Sequence, residues 1–211
     1  MNFSPKIKEY AIKCHQDTNH LYDGYLPYQF HLNMVEANAH RFMPLIIKKE
    51  LFRDGKLVDW DFDAHKLYHT IISACYCHDV IEDTRQNYSD ICAVIQTVVG
   101  CGSGCGVPYK YQEAIAYQVA DLVYAVSNEK GKNRKEREND KYFEGIKNTP
   151  YATFVKLCDR LANIQYSKMT AWKSDTKLEM YRKEDRHFVE QLYDEQYKEM
   201  FCYMRELFTE K

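Results

Sequence analysis

The chain has 211 residues, 45% of them hydrophobic and 28% charged, with a formal net charge of −2. These values fit one globular domain. They exclude wholesale disorder and a globally basic nucleic-acid binder, so no duplex nucleic acid is expected as a partner. No run approaches the roughly 18 apolar residues of a membrane span. The N-terminus, Met1 to Lys13, is charged and amphipathic with no apolar leader core, which predicts a cytoplasmic protein with no membrane partner. The eight cysteines are scattered, and they read as small buried hydrophobes of a reducing compartment. Tyrosine is unusually frequent at 18 residues; its apolar ring and hydroxyl suit helices packed around a wet cleft.

Ile7, Tyr10, Ala11 and Cys14 repeat at i, i+3, i+4, i+7 and predict a first helix after Pro5. Asp23-Gly24 and Pro27 predict a loop over 18–29. A second helix is expected from about Tyr28 to Lys49, with Pro44 starting a new helix or kinking the old one. Asp59, Asp61 and Asp63 offer N-caps to a helix carrying Leu67, Ile71, Ala74 and Cys75 and reaching Val80. The same aspartates resemble the opening of a calcium loop but lack its glycine and closing glutamate, so they read as a cap. Ile91 to Val99 is helical or extended.

Half of the eight glycines fall in Gly100 to Gly106, which reads as a flexible loop. That loop lacks the Gly-Lys-Ser/Thr ending of a phosphate loop, and its Cys101-x3-Cys105 zinc half-site has no matching second half. Tyr117 to Ser127 predicts a buried helix, 128–141 a charged stretch, and 151–167 a helix after Pro150. A last long helix is expected over about 177–208. Its apolar stripe is Val189, Tyr193, Tyr197, Met200, Phe201, Met204, Leu207 and Phe208. That stripe packs either on the domain or on a second copy, which leaves a homo-oligomer open. With no strand alternation of any length and no dividing linker, the expected architecture is all-α, one domain over 1–211.

The densest chemistry lies in Cys77-His78-Asp79-Val80-Ile81-Glu82-Asp83-Thr84. On a helix, His78 with Glu82 and Asp79 with Asp83 are i, i+4 pairs that form two neighbouring columns on one face. Four ionisable groups beside Ile71, Ile72, Ala74, Val80 and Ile81 repel or lose solvation unless a cation compensates them. The plainer reading is a helix end that turns into solvent. His31 opens a predicted helix, and Asp159 and Asn163 share a face of an apolar segment; taken singly, each reads as a satisfied core polar group.

In order, His31, His78-Asp79 and Asp159 are similar to the H…HD…D motif of the HD phosphohydrolase superfamily. Further blocks are Pro27-Tyr28-x-x-His31, His78-Asp79-x-x-Glu82-Asp83-Thr84, Val119-Ala120-x-Leu122-Val123, Asn133-Arg134-Lys135 and Lys156-Leu157-x-Asp159-Arg160-Leu161-x-Asn163. Together they resemble the hydrolase domain of RelA/SpoT-type proteins and the small alarmone hydrolases, over roughly residues 5–170. The resemblance implies an HD-type helical bundle in which His31, His78, Asp79 and Asp159 hold Mn²⁺ or another divalent transition ion. It implies that Glu82 and Asp83 orient or deprotonate the attacking water, with Asn163 at the nucleoside and Arg134 and Lys135 at the phosphates. The implied reaction is removal of pyrophosphate from the ribose 3′ position of guanosine 3′,5′-bis(diphosphate) alarmones. With only a helical tail after residue 170, a stand-alone hydrolase is expected.

The sequence departs from that pattern just before Pro27. The Arg-Lys pair usual there is replaced by His20-Leu21-Tyr22-Asp23-Gly24-Tyr25, with one extra residue after the glycine. His20, Tyr22 or Tyr25 is expected to stack on the base instead. Tyr166 stands where threonine is usual. Other substrates therefore stay open, NADPH or a nucleoside monophosphate among them, as does a nucleotide-binding regulator without turnover. His15, His40, His65, His69 and His187 have no partner pattern and read as surface or structural.

Overall fold

The computed structural model describes residues 3–48, 51–53, 56–57, 61–101, 109–128 and 130–209. Helix α1 (Ser4–Asp17) has Pro5 in its first turn and buries Ile7, Ala11 and Cys14. The predicted loop after it contains a small antiparallel hairpin, β1 (Leu21–Tyr22) with β2 (Leu26–Pro27), pairing Leu21 with Pro27 and Tyr22 with Leu26. Two consecutive left-handed residues, Asp23 at φ 53° and Gly24 at φ 79°, turn it.

Helix α2 (Gln29–Phe42) ends earlier than expected, in a single 3₁₀ turn over Met43–Leu45. Pro44 lacks the N–H that a continuing helix needs there. Lys49 lies outside the described residues. A second two-residue pair, β3 (Phe52–Arg53) and β4 (Lys56–Leu57), follows. Asp61 caps α3 (Phe62–Cys77), accepting from the Ala64 N–H at 2.9 Å. Of the other two expected caps, Asp59 lies outside the described residues and Asp63 falls inside the first turn of α3.

Helix α3 stops short of the expected Val80. His78 and Asp79 form a turn, and a single helical turn, α4 (Val80–Asp83), comes after it. Helix α5 (Tyr88–Cys101) resolves the helical-or-extended ambiguity and carries Gly100 and Cys101, both expected in a loop. The rest of that loop, 102–106 with Cys105, lies outside the described residues. Helix α6 (Tyr109–Val126) starts two turns before the predicted 117, and its buried face runs from Ile115 to Val126. The charged stretch is partly helical: Asn133 caps α7 (Arg134–Arg137) and Asn139 caps α8 (Asp140–Asn148).

Helix α9 (Ala152–Thr170) is the axis of the bundle, with Phe154, Val155, Leu157, Cys158, Leu161, Ala162 and Ile164 fully buried. It packs on α2, α3, α6 and α8, and on the last two helices, α10 (Thr176–Leu192) and α11 (Lys198–Thr209). These two replace the single helix expected over 177–208. Tyr193 leaves helical geometry at ψ 128°, and Asp194 caps the next turn by accepting from the Gln196 N–H at 2.8 Å. Tyr193 is 49% exposed and leaves the predicted stripe, whereas Met200, Phe201, Met204 and Leu207 are buried against the domain's own helices. The described residues thus form an all-α bundle around one hydrophobic core. No helix among them is long and apolar enough to cross a membrane.

Candidate metal centre

Three segments far apart in sequence converge between α2, α3 and α9. His31 comes from the first turn of α2, His78 and Asp79 from the turn after α3, and Asp159 from the middle of α9. The Nε2 atoms of His31 and His78 are 3.2 Å apart. His78 Nε2 lies 2.8 Å from Asp79 Oδ2 and 3.6 Å from Asp159 Oδ1. His31 Nε2 lies 3.3 Å from Asp159 Oδ1 and 3.7 Å from Asp79 Oδ2. Ligand atoms of His31, His78 and Asp159 all fall within 4.8 Å of one another, the spacing of a set that could share one ion.

Neighbouring groups aim these atoms. His78 Nδ1–H donates to the Cys75 carbonyl at 2.8 Å, which turns Nε2 toward the cluster as the nitrogen that could take a metal. Tyr28 donates its hydroxyl to Asp79 Oδ2. Asn163 Nδ2 donates to Asp159 Oδ1 at 2.5 Å, and Lys156 Nζ to Asp159 Oδ2 at 3.1 Å. Both imidazoles are buried, at 1% and 2% side-chain exposure. His31 Nδ1 has no hydrogen-bond partner among the described residues.

The charges are strongly interdependent. Burial works against ionising Asp79, but His78 outweighs it and holds the carboxyl below the usual range. Burial likewise opposes ionised Asp159, and Lys156, His31 and His78 outweigh it. Burial disfavours protonated His78, yet Asp79 and Asp159 keep its proton on to well above the usual pH. Without a cation the cluster therefore retains a proton at the position that a metal could take. Imidazole nitrogen with carboxylate oxygen is the donor set of Mn, Fe, Co or Zn.

Glu82 and Asp83 flank the cluster and differ. Glu82 accepts from Asn128 twice, from the side-chain amide at 2.7 Å and from the backbone N–H at 3.2 Å. Asp83 has His20 Nδ1 at 3.7 Å, too far for a hydrogen bond. Burial first, then Asp79 and Glu82, push its carboxyl up to about 7. The helical columns expected for 78–83 are interrupted at Asp79, so His78 and Asp79 meet at one point instead of diverging.

Beside the centre lies a cleft of about 180 Å³ that includes His31, Asp79, Glu82, Asp83, Asp159 and Arg134 in its walls. Arg134 faces it, held by Glu138 and Glu184 at 3.1 Å each. Lys135 lies in α7, but its side chain is outside the described residues. Asn163, expected at the nucleoside, also lines the cleft; its Nδ2 is directed to Asp159, and its Oδ1 accepts from the Tyr22 hydroxyl at 3.0 Å. Tyr22, expected as a base platform, lies flat on His31 with ring centroids 4.7 Å apart. His20 packs on Tyr28 at 4.4 Å and shares a hydrogen bond of 3.0 Å with His15.

Three contributors went unrecognised in the sequence. His15 is fully buried and stacks on Tyr28 at 3.8 Å. Asn128, from the end of α6, fixes Glu82. Lys156 lies three residues before Asp159 on the same helix, an i, i+3 spacing that signals their ion pair. No family model, no curated protein and no solved structure matches this chain.

Proposed function

We propose that the protein is a divalent-metal-dependent phosphohydrolase of the HD type, acting in the cytoplasm. Its proposed substrates are guanosine 3′,5′-bis(diphosphate) alarmones, and it releases pyrophosphate from the ribose 3′ position. The observation that carries this reading is the approach of the His31 and His78 Nε2 atoms to carboxylate oxygens of Asp79 and Asp159, at 2.8–3.7 Å, beside a cleft that also holds Arg134 and Lys156. The residues fit Mn²⁺ by donor chemistry and by the His78 tautomer that the Cys75 carbonyl selects. When bound at His31, His78, Asp79 and Asp159, the ion lowers the pKa of water and neutralises phosphate charge.

The chain's own residues supply the rest. Tyr28, Lys156 and Asn163 hold the carboxylates in place. Glu82, anchored by Asn128, orients the water. Asp83, titrating near neutrality, accepts its proton as oxygen bonds to phosphorus; the phosphorus–oxygen bond to the ribose breaks and the ribose oxygen takes up a proton. Arg134 offers a planar guanidinium to the phosphates.

Tyr22 favours a second reading. Its ring covers His31 and its hydroxyl engages Asn163, which supports a different phosphorylated nucleotide, NADPH or a nucleoside monophosphate. A release assay with Mn²⁺ on guanosine tetraphosphate, NADPH and nucleoside monophosphates separates the two, with Asp79→Ala as control. GDP and pyrophosphate, lost in the variant, are the expected products. Phosphate from another nucleotide selects the second reading, and no release from metal-loaded protein leaves a nucleotide-binding regulator.

A further inference from the structure

The centre is closed on one side and open on the other. On the closed side the β1–β2 hairpin sets Tyr22 over His31 and against Asn163. Asp23 of that hairpin is pinned by the Tyr166 hydroxyl at 2.9 Å and by Lys177 at 2.5 Å. On the open side the cleft shares Arg134, Glu138, Phe143, Arg160 and Phe188 with a second groove, of about 650 Å³, between α7, α8 and α10. Phe143 and Phe188 form its apolar floor. His187 stands exposed beside them, edge-on to Phe143 with centroids 5.5 Å apart. Asn133 and Glu184 supply polar groups at its edge.

A flat apolar recess with an exposed ring, a few polar edge groups and the Arg134 guanidinium at the mouth is the chemistry that receives a nucleoside carrying phosphates. The base finds π surface and hydrogen-bonding groups, and the phosphates meet Arg134 on the way to the centre. A third groove, of about 730 Å³, joins the cleft past Asn128 and Tyr142. It shares just those two residues with the cleft, against five for the α7–α8–α10 groove, and its Lys130 and Lys141 are set against Asp121 and Glu144.

We infer that the nucleoside moiety of the phosphorylated substrate lies in the α7–α8–α10 groove against His187, and not on the hairpin tyrosines. This assignment rests on the phosphohydrolase reading above. His187 is exposed, so its substitution spares the core. Binding of GDP and of inorganic pyrophosphate to the Mn²⁺-loaded protein is measured by calorimetry for the parent and for His187→Ala. GDP affinity is expected to fall at least about 5-fold, as loss of a stacking partner requires, with pyrophosphate affinity unchanged. In His187→Trp, indole fluorescence is expected to respond to GDP and not to pyrophosphate. Parental GDP affinity in His187→Ala, with no fluorescence response in His187→Trp, overturns the groove assignment while pyrophosphate or phosphate release by the parent still stands. A parent that releases neither pyrophosphate nor phosphate from any nucleotide overturns the phosphohydrolase reading and the groove with it.

Discussion

Glu82 and Asp83 are chain neighbours with opposite environments, and their variants should separate accordingly. Asp83 is the group with a pKa near 7 and no hydrogen-bonded partner at its 3.7 Å neighbour His20. Asp83→Asn is expected to lower kcat by about 10²–10⁴-fold, with Mn²⁺ affinity by calorimetry retained. Glu82→Gln keeps an acceptor for Asn128 and is expected to lose much less. His15 makes a different prediction, about acid stability. Burial holds its ring neutral, down to about 3 in the fold, whereas in the unfolded chain it titrates near 6.5. The unfolded state therefore binds the extra proton first. Stability from this group is complete above pH 6.5 and is lost as the pH falls toward 3, by about 2 kcal/mol between pH 7 and pH 5. Urea unfolding at both pH values should show that loss in the parent and a flatter response in His15→Gln.

At the scale of elements, the break between α3 and α4 matters most. Adjacent side chains on a continuous helix point about 100° apart, yet His78 Nε2 and Asp79 Oδ2 come within 2.8 Å because the chain turns between them. The residue types and their order were legible in the sequence; this turn was not, because no glycine or proline marks it. The hairpin escaped for another reason: strands of two residues carry no alternation, and only Asp23-Gly24 betrayed a turn. The break between α10 and α11 had one legible sign, Asp194, a good cap placed within an otherwise helical pattern. His15 and His20 are brought together by the turn that ends α1, where the His20 N–H donates to the His15 carbonyl, and Tyr28 reaches them by packing, so periodicity gave no hint of their stack. Asp194→Ala is expected to cost about 1 kcal/mol as a lost cap, and Phe201→Ala about 3–5 kcal/mol as a core truncation. Both are read from urea midpoints.

For the whole molecule, an ion held by His31, His78, Asp79 and Asp159 joins α2, the α3–α4 turn and α9 into one unit. Mn²⁺ at about 100 times its dissociation constant is expected to add about 2.7 kcal/mol of stability. For a domain of this size that raises Tm by about 5–10 °C. Thermal unfolding with Mn²⁺ or a chelator checks this, and Asp159→Asn should abolish the difference.

Arg160, next to a proposed ligand, is 3% exposed, and its guanidinium ends on Glu184 at 3.0 Å and on the Tyr181 carbonyl at 3.3 Å, both in α10. Phe154, near the start of α9, is covered in part by Tyr197, from the segment just before α11. A ribosome delivers α9 before either cover exists. The nascent chain therefore passes through a stage in which the strand of residues bearing Asp159 presents an unpaired guanidinium and bare aromatic surface. Translation that stalls after α9 should yield a species bound by holdase chaperones and cleared by proteases, and completion of the last two helices should release it.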